Sequence, residues 1–410
     1  MSSTPTPASA TAPRPPTARH LALFENFYPA MDRLGTHSTS LALLLLRADP
    51  ELALSLAVPR RSAWPDGFDG RRVRFSPTWA HDGPLSMIRA GVSTARGLPA
   101  NSRVLFNWFP TCYGETRVAA TAGMLLPRIV RTFSERRPAV YAHNFIETQD
   151  VRRLGYRPGA LDRWAVGLFE GALARAARVF VPLESQRRSV EAMFKVPVTA
   201  RPIPFVEALF GHWVATERPD PKWAAGIPPR RVFRILLFGV WGPAKDLASV
   251  LPVLDELFRS GHDFEVVFAG SVNRFFPEYR ERLRAALASL PADRCRFVAD
   301  PPDESTPELF GPADLVILPY NAIAGPSGVM GLAAFHGCRI VAYDVPELRE
   351  YDAILDGRTV FVPPRDRDAL AEAVRRCFAG EVRGSTEPKE SKVARATAAA
   401  RQLLGDLEVD

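Results

Sequence analysis

Residues 315 to 350 read LVILPYNAIAGPSGVMGLAAFHGCRIVAYDVPELRE. The run from Leu315 to Pro319 is short and apolar throughout, the pattern of a strand covered on both faces. A turn containing Gly325, Pro326, Ser327 and Gly328 follows, then an apolar helical stretch over 328–336 and a second strand over 339–343. Strand, turn, helix and strand in so few residues make a βαβ unit, which requires parallel strands. A glycine-containing turn that opens a helix leaves free backbone amides at the positive end of the helix dipole, a place for a diphosphate that needs no metal. Ser327 can add a hydroxyl donor there or can serve only as an N-cap, and both readings stay open at this point.

The same architecture extends upstream. Residues 238–257 read FGVWGPAKDLASVLPVLDEL: the end of a buried strand over 233–238, glycines at 239 and 242, Lys245, then a helix over 246–260. Glycines beyond the carboxyl end of a parallel strand allow a phosphate to approach the backbone, and Lys245 would meet it. The plain alternative is a tight Gly-Pro turn followed by a solvated lysine. Between the two units lie strands over 265–269 and 296–298, a helix over 278–289, and the pair Gly270-Ser271. A strand over 359–362 and a helix over 367–378 complete a doubly wound domain over 232–380.

The first half alternates in the same way. Strands are expected at 20–24, 104–108, 139–142 and 178–182, and helices at 38–47, 117–131 and 160–177. The class is therefore α/β, with two doubly wound, Rossmann-like domains facing each other across a cleft. Residues 1–19 are rich in Pro, Ser, Thr and Ala and read as a disordered tail. The first domain spans 20–215. The stretch ERPDPKWAAGIPPRR over 217–231 interrupts all periodicity with four prolines, so 216–231 is the expected linker. Residues 381–410 form a tail in which 391–404 read as a helix.

Composition restricts the function classes. With 410 residues, 47% of them hydrophobic, the chain exceeds one ordinary core. Four cysteines stand far apart without a CxxC pair, which suggests neither a zinc site nor a disulfide framework and fits a reducing cytoplasm. No apolar run approaches the ~20 residues of a membrane span. The net charge of +7 comes largely from arginine pairs such as Arg60-Arg61 and Arg136-Arg137. Such charge favours anionic partners, among them an anionic membrane surface, whereas no nucleic-acid-binding signature accompanies it.

From Phe233 to Phe378 the sequence resembles the C-terminal half of group 1 (family 4) glycosyltransferases. The family turn G-R-x-x-x-x-K-G is matched by Gly239-Val240 through Lys245-Asp246. The strand motif a-D-v-v-l-P-S is matched by Ala313-Asp314-Leu315-Val316-Ile317-Leu318-Pro319-Tyr320. The block S-G-v-x-x-E-A-x-A-x-G-x-P-V-V-A is matched by Ser327-Gly328-Val329 through Gly337 to Ala342, and p-e-L-x-E by Pro346-Glu347-Leu348-Arg349-Glu350. In the first half the likeness rests on Leu34-Gly35-Thr36-His37, on Val140-Tyr141-Ala142-His143-Asn144 and on the turn Val181 to Arg187. The resemblance implies a GT-B glycosyltransferase that takes a nucleotide-diphosphate sugar as donor substrate, retains anomeric configuration and uses neither metal nor cofactor. It assigns catalytic roles to His143 and Lys245, and nucleotide-sugar contacts to Gly35, Gly239, Gly242, Gly270, Ser327, Gly328, Val329 and Glu350. The terminal helix is expected to cross back to the first domain.

Three departures accompany the likeness. Val240 replaces the arginine of the first turn, and ungapped alignment puts Ala324 and Leu332 where the family has its E-x7-E glutamates. A second reading is therefore a weak or inactive glycosyltransferase-like protein that binds a nucleotide or scaffolds partners. A nucleotide-sugar epimerase would share the architecture, whereas a nicotinamide enzyme would need G-x-G-x-x-G spacing that Gly239-Val240-Trp241-Gly242 lacks. The triplet Asp366-Arg367-Asp368 opens a helix and reads as capping rather than as a metal site. The acceptor is expected to be a glycan, a lipid-linked group or a small molecule, with the protein cytoplasmic or peripheral to the inner face of a membrane.

Overall fold

The computed structural model describes residues 19–25, 27, 34–80, 83–109, 113, 116–134, 136–217 and 232–408. Of the expected tail only Arg19 is described, and 218–231 of the expected linker lie outside the described residues.

The first half runs β1 (His20–Phe24), α1 (Leu34–Ala48), β2 (Ala53–Pro59), β3 (Val73–Trp79), α2 (Pro84–Gly97), β4 (Ser102–Trp108) and α3 (Arg117–Ser134). It continues with β5 (Ala139–Ala142), α4 (Ala160–Ala176), β6 (Arg178–Val181), α5 (Glu184–Phe194), β7 (Val198–Ala200) and α6 (Val206–Glu217). The second half runs β8 (Phe233–Phe238), α7 (Leu247–Arg259), β9 (Phe264–Gly270), α8 (Tyr279–Ala288), β10 (Cys295–Ala299), α9 (Thr306–Phe310) and β11 (Leu315–Leu318). It ends with α10 (Gly328–His336), β12 (Arg339–Tyr343), α11 (Pro346–Leu355), β13 (Val360–Val362), α12 (Arg367–Phe378) and α13 (Lys389–Glu408).

The strand orders are β3-β2-β1-β4-β5-β6-β7 and β10-β9-β8-β11-β12-β13. Every pairing is parallel. Each domain is thus wound outward from its first strand in both directions, which opens a crevice beside that strand. Elements β2, β3, α2, α5, β7, α6, α9 and α11 are absent from the sequence expectations. Strand β2 is built mainly of Ala and Leu with Val58 as its one β-branched residue, and the edge strand β3 carries Arg74 and Pro77 and is mostly only half-buried, so neither gives a clean signal.

Side chains of β1 alternate between two cores. Leu21 and Leu23 join Leu41, Leu44 and Leu45 of α1, whereas Ala22 and Phe24 join Met87, Leu126 and Leu173 from α2, α3 and α4. The first of these cores does not stop at the domain boundary. It runs through Leu209 of α6 and Phe335 of α10 to Leu403 of α13.

Helix α13 crosses back to the first domain, and its cations finish other helices. Buried Lys392 donates to the carbonyls of Ala334 (2.6 Å) and Phe335 (3.2 Å) in α10. Arg395 donates to Ile354 (2.6 Å) and Leu355 (2.8 Å) at the end of α11. Arg401 donates to Ala48 (3.2 Å), the last residue of α1. A cation at a helix C-terminus satisfies orphan carbonyls and opposes the dipole. In turn Arg178 and Arg103 of the first domain donate to the carbonyls of Asp406 (2.6 Å) and Glu408 (3.1 Å).

Leu403 is fully buried on α13. Leu403→Ala is expected to cost about 3 kcal/mol of stability, measured as a lower denaturation midpoint with an unchanged far-ultraviolet circular dichroism spectrum.

Candidate functional site

The glycine turn after β8 and the start of α10 after β11 flank the crevice of the second sheet, since β8 and β11 are neighbours. Gly239 has φ 120° and Gly270 has φ 127°, left-handed values that side chains rarely adopt. The two backbones meet so closely that a Cβ on Gly270 would overlap the carbonyl oxygen of Gly239. The turn is then stitched to both neighbours. Trp241 N donates to Ser271 O (2.8 Å), and on the other side Asn321 N donates to Ala244 O (2.8 Å) and Asp246 N to Pro319 O (2.9 Å). Asp246 caps α7 through Ser249 N (3.1 Å).

Lys245 is buried in this turn. Its Nζ donates to the carbonyl of Phe238 (2.6 Å) and stands 4.6 Å from the Trp241 ring centroid and 5.3 Å from that of Tyr320. Ser327 is the N-cap of α10 and accepts from Met330 N (3.2 Å), while its proton stays available to an acceptor. Val329 faces Gly239, so the two strand-turn-helix units close on the same space.

Across the crevice of the first sheet lies a buried polar chain. His143 Nε2 is 2.7 Å from Asn107 Oδ1, and Asn107 Nδ2 donates to Ser38 Oγ (2.8 Å). With the amide oriented this way, Nε2 carries the imidazole proton and Nδ1 is left as an acceptor. Phe109 stacks on His143 at 4.0 Å, and His37 meets it edge-on at 4.2 Å. Burial holds the His143 pKa well below the usual range and the His37 pKa at about 3, so both rings are neutral. Beyond Ser38 lies Glu25, fully buried beside the Ser38 hydroxyl. Burial raises its pKa, and the Ser38 hydroxyl only tempers the effect.

The two halves touch around a cavity. Gln149 Nε2 donates to Ala324 O (2.7 Å) and Asn273 Nδ2 donates to the Tyr156 hydroxyl (3.2 Å), both across the boundary, while within the first domain Gln186 Nε2 holds the His143 carbonyl (2.7 Å). A Cβ on Gly325 would stand 2.8 Å from the His143 carbonyl oxygen. The space between them is about 210 Å³, open to solvent on one side, and is lined by Gln149, Arg153 and Gln186 from the first domain and by Asn321 and Ala324 from the second.

The fold therefore brings Gly239, Gly270, Lys245, Ser327, Gly328 and Val329 to one crevice, with His143 opposite. Gly242 rests against Asn273, and Gly35 lies in the first turn of α1 ahead of His37. Glu350 is placed elsewhere: its carboxylate accepts from Glu184 N and from Ser185 N (3.2 Å) at the start of α5, joining the domains. Leu332 is buried and the Ala324 carbonyl is taken by Gln149, so neither position offers a carboxylate. The acid beside α10 is Glu207 of α6. A Cβ on Gly331 would stand 3.3 Å from its Oε2 and 3.1 Å from the Tyr351 hydroxyl, and burial lifts its pKa to about 7.

Sequence reasoning missed Glu25, Asn107, Glu207 and Glu170. The last is buried on α4 and accepts from the amides of Ile146 (2.7 Å) and Glu147 (3.1 Å), fixing the loop that follows His143. A lone acid inside an apolar segment was the signal available. Asp366 caps α12 through Ala369 N (2.9 Å). Among the described residues no group of three or more His, Cys, Asp or Glu side chains is placed to hold a metal ion.

Residues 233–379 match the model of the family described as glycosyl transferases group 1. The second domain is similar to group 1 glycosyl transferases over nearly its whole length. No curated protein matches the chain by sequence. Among solved structures, a glycosyltransferase from Rickettsia africae aligns with TM-score 0.60 and 11% identity over 95% of this chain and 94% of its own. The UDP-forming α,α-trehalose-phosphate synthase from Burkholderia vietnamiensis aligns with TM-score 0.61 and 11% identity over 95% and 98%. HepE of Anabaena in complex with UDP aligns with TM-score 0.55 and 13% identity over 95% of each chain. At this identity the likeness is one of fold, and the fold is GT-B: two Rossmann-like domains close on one cleft.

Two outcomes follow from the geometry. Gly270→Ala is expected to cost about 3 kcal/mol or more, because the overlap with Gly239 and the positive φ act together, and urea unfolding would measure it. For Glu170 burial raises the pKa from 4.5 to about 8. A raised carboxyl pKa means that the folded state holds the proton more tightly. Its contribution to stability is complete below 4.5 and is lost as pH rises towards 8. Glu170→Gln, measured by thermal midpoints across that window, should therefore gain on wild type as pH rises.

Proposed function

We propose that the protein transfers a sugar from a nucleotide-diphosphate donor, with retention and without a metal, to an acceptor held against the first domain. The observation that carries this reading is the meeting of two glycine turns and the start of α10 at the crevice of the second sheet, directly across from neutral His143. The amides of Gly328 and Val329, with the α10 dipole, would hold the diphosphate. Lys245 would exchange the Phe238 carbonyl for a phosphate oxygen and stabilise the leaving group as the glycosidic bond breaks. His143, fixed by Asn107, would accept a hydrogen bond from a sugar hydroxyl at Nδ1. The UDP bound by HepE and the UDP-forming synthase make UDP-sugars the first donors to test.

A scaffold or weakly active protein is the second reading, favoured by Leu332 and Ala324 at the glutamate positions. Thermal-shift titration with UDP-, GDP-, TDP- and ADP-sugars separates the readings, because a ligand of the native state raises the midpoint. One of them is expected to stabilise the protein and to be hydrolysed slowly. Lys245→Met should weaken that stabilisation at least tenfold in ligand concentration. His143→Ala should reduce turnover by about a hundredfold or more while nucleotide binding persists. Donor binding without any turnover would leave the scaffold reading, and no shift with any donor would sink both.

A further inference from the structure

Helices α2, α3 and α4 lie side by side on one face of the first sheet. Each returns antiparallel to the parallel strands, so their first turns gather at the same edge, the one that borders the cleft. Leu85, Val118 and Leu161 stand exposed in those first turns. On α4 the stripe continues: Leu161, Trp164 and Leu168, spaced three and four residues apart, are 73%, 66% and 50% exposed. Phe133 of α3 is exposed as well. Six of the nine large apolar side chains exposed among the described residues are therefore on these three helices, the other three being Met193, Val240 and Phe275.

The charge on this face has one sign. Helices α2 and α3 contain no acidic residue and carry Arg89, Arg96, Arg117, Arg128 and Arg131. Helix α4 has two acids, of which Asp162 pairs with Arg117 (3.1 Å) and Glu170 is buried. Between α3 and α4 runs a groove of about 580 Å³ lined by Arg128, Arg131 and Arg175 beside Leu168. Leu, Trp and Val projecting singly among arginines that outnumber the acids of these helices differ from a protein-protein interface, whose buried centre is depleted of charge. They match the interfacial layer of an anionic bilayer, where apolar side chains enter the acyl boundary, tryptophan sits at headgroup depth and arginines meet lipid phosphates. No helix among the described residues is long and apolar enough to cross a membrane.

We propose that the α2–α4 face docks on an anionic lipid bilayer, with the Leu161-Trp164-Leu168 stripe inserted and the Arg128-Arg131-Arg175 groove on lipid phosphates. Docked this way, the cleft edge lies at the membrane surface, the position from which a lipid-linked acceptor would be reached. Flotation with phosphatidylcholine vesicles, with and without phosphatidylglycerol, tests it. Wild type should float only with the anionic vesicles, and less at high salt. Leu161→Ser, Trp164→Ser and Leu168→Ser combined should weaken partitioning at least tenfold. Arg128→Gln, Arg131→Gln and Arg175→Gln combined should weaken it on the order of a hundredfold, at roughly fivefold per arginine. Both variants should keep the wild-type thermal midpoint and any donor-induced shift, since these side chains are exposed and outside the crevice. Four outcomes would overturn the proposal: no binding to anionic vesicles, equal binding by the variants, release by inorganic phosphate at constant ionic strength, or wild-type self-association that the serine variant abolishes.

Discussion

Three cations on one helix hold the molecule in its working arrangement. Lys392, Arg395 and Arg401 of α13 end α10, α11 and α1 by meeting their last carbonyls, and two of those helices belong to one domain while the third belongs to the other. Each contact is a charged hydrogen bond to groups that would otherwise be orphaned. Together with the apolar core that runs through α6, α10 and α13, they make the relation between the domains part of the fold. Helix α10 is the element whose start faces the crevice, so the strap that ends it also sets where its free amides point.

Within that frame the winding of each sheet decides where chemistry can occur. Because the chain leaves the first strand once in each direction, neighbouring loops part beside it, at β1 and β4 in one sheet and at β8 and β11 in the other. The glycine turn and Ser327 occupy one crevice, and the chain from Glu25 through Ser38 and Asn107 to His143 occupies the other. One crevice is rich in backbone donors and holds a buried lysine, a character suited to an anion. The other holds neutral rings and a carboxyl group of raised pKa, suited to reading hydroxyls.

The buried acids are the costly part of this arrangement. Glu25, Glu170 and Glu207 are each pushed towards the protonated form by burial, and each stands next to an element of the cleft. Glu207 comes from α6, outside the second domain, yet it lies against Gly328 and Gly331 on the same helix that carries Leu332 in place of a glutamate.

The sequence by itself determined the α/β class, the second domain almost strand by strand, and the two phosphate-compatible turns. Those features follow from local causes: short apolar runs, glycines where the backbone needs a positive φ, and capping residues such as Asp246, Ser327 and Asp366. The middle of the first domain was illegible because β2 is built of Ala and Leu rather than β-branched residues and the edge strand β3 is too open to show a buried pattern. Tertiary structure alone decided that Glu350 joins the domains at α5, that Lys245 rests on the Phe238 carbonyl, and that His143 is held by Asn107. Those outcomes depend on pairs of residues far apart in the chain, and no local pattern records which distant group will fill a buried donor or acceptor.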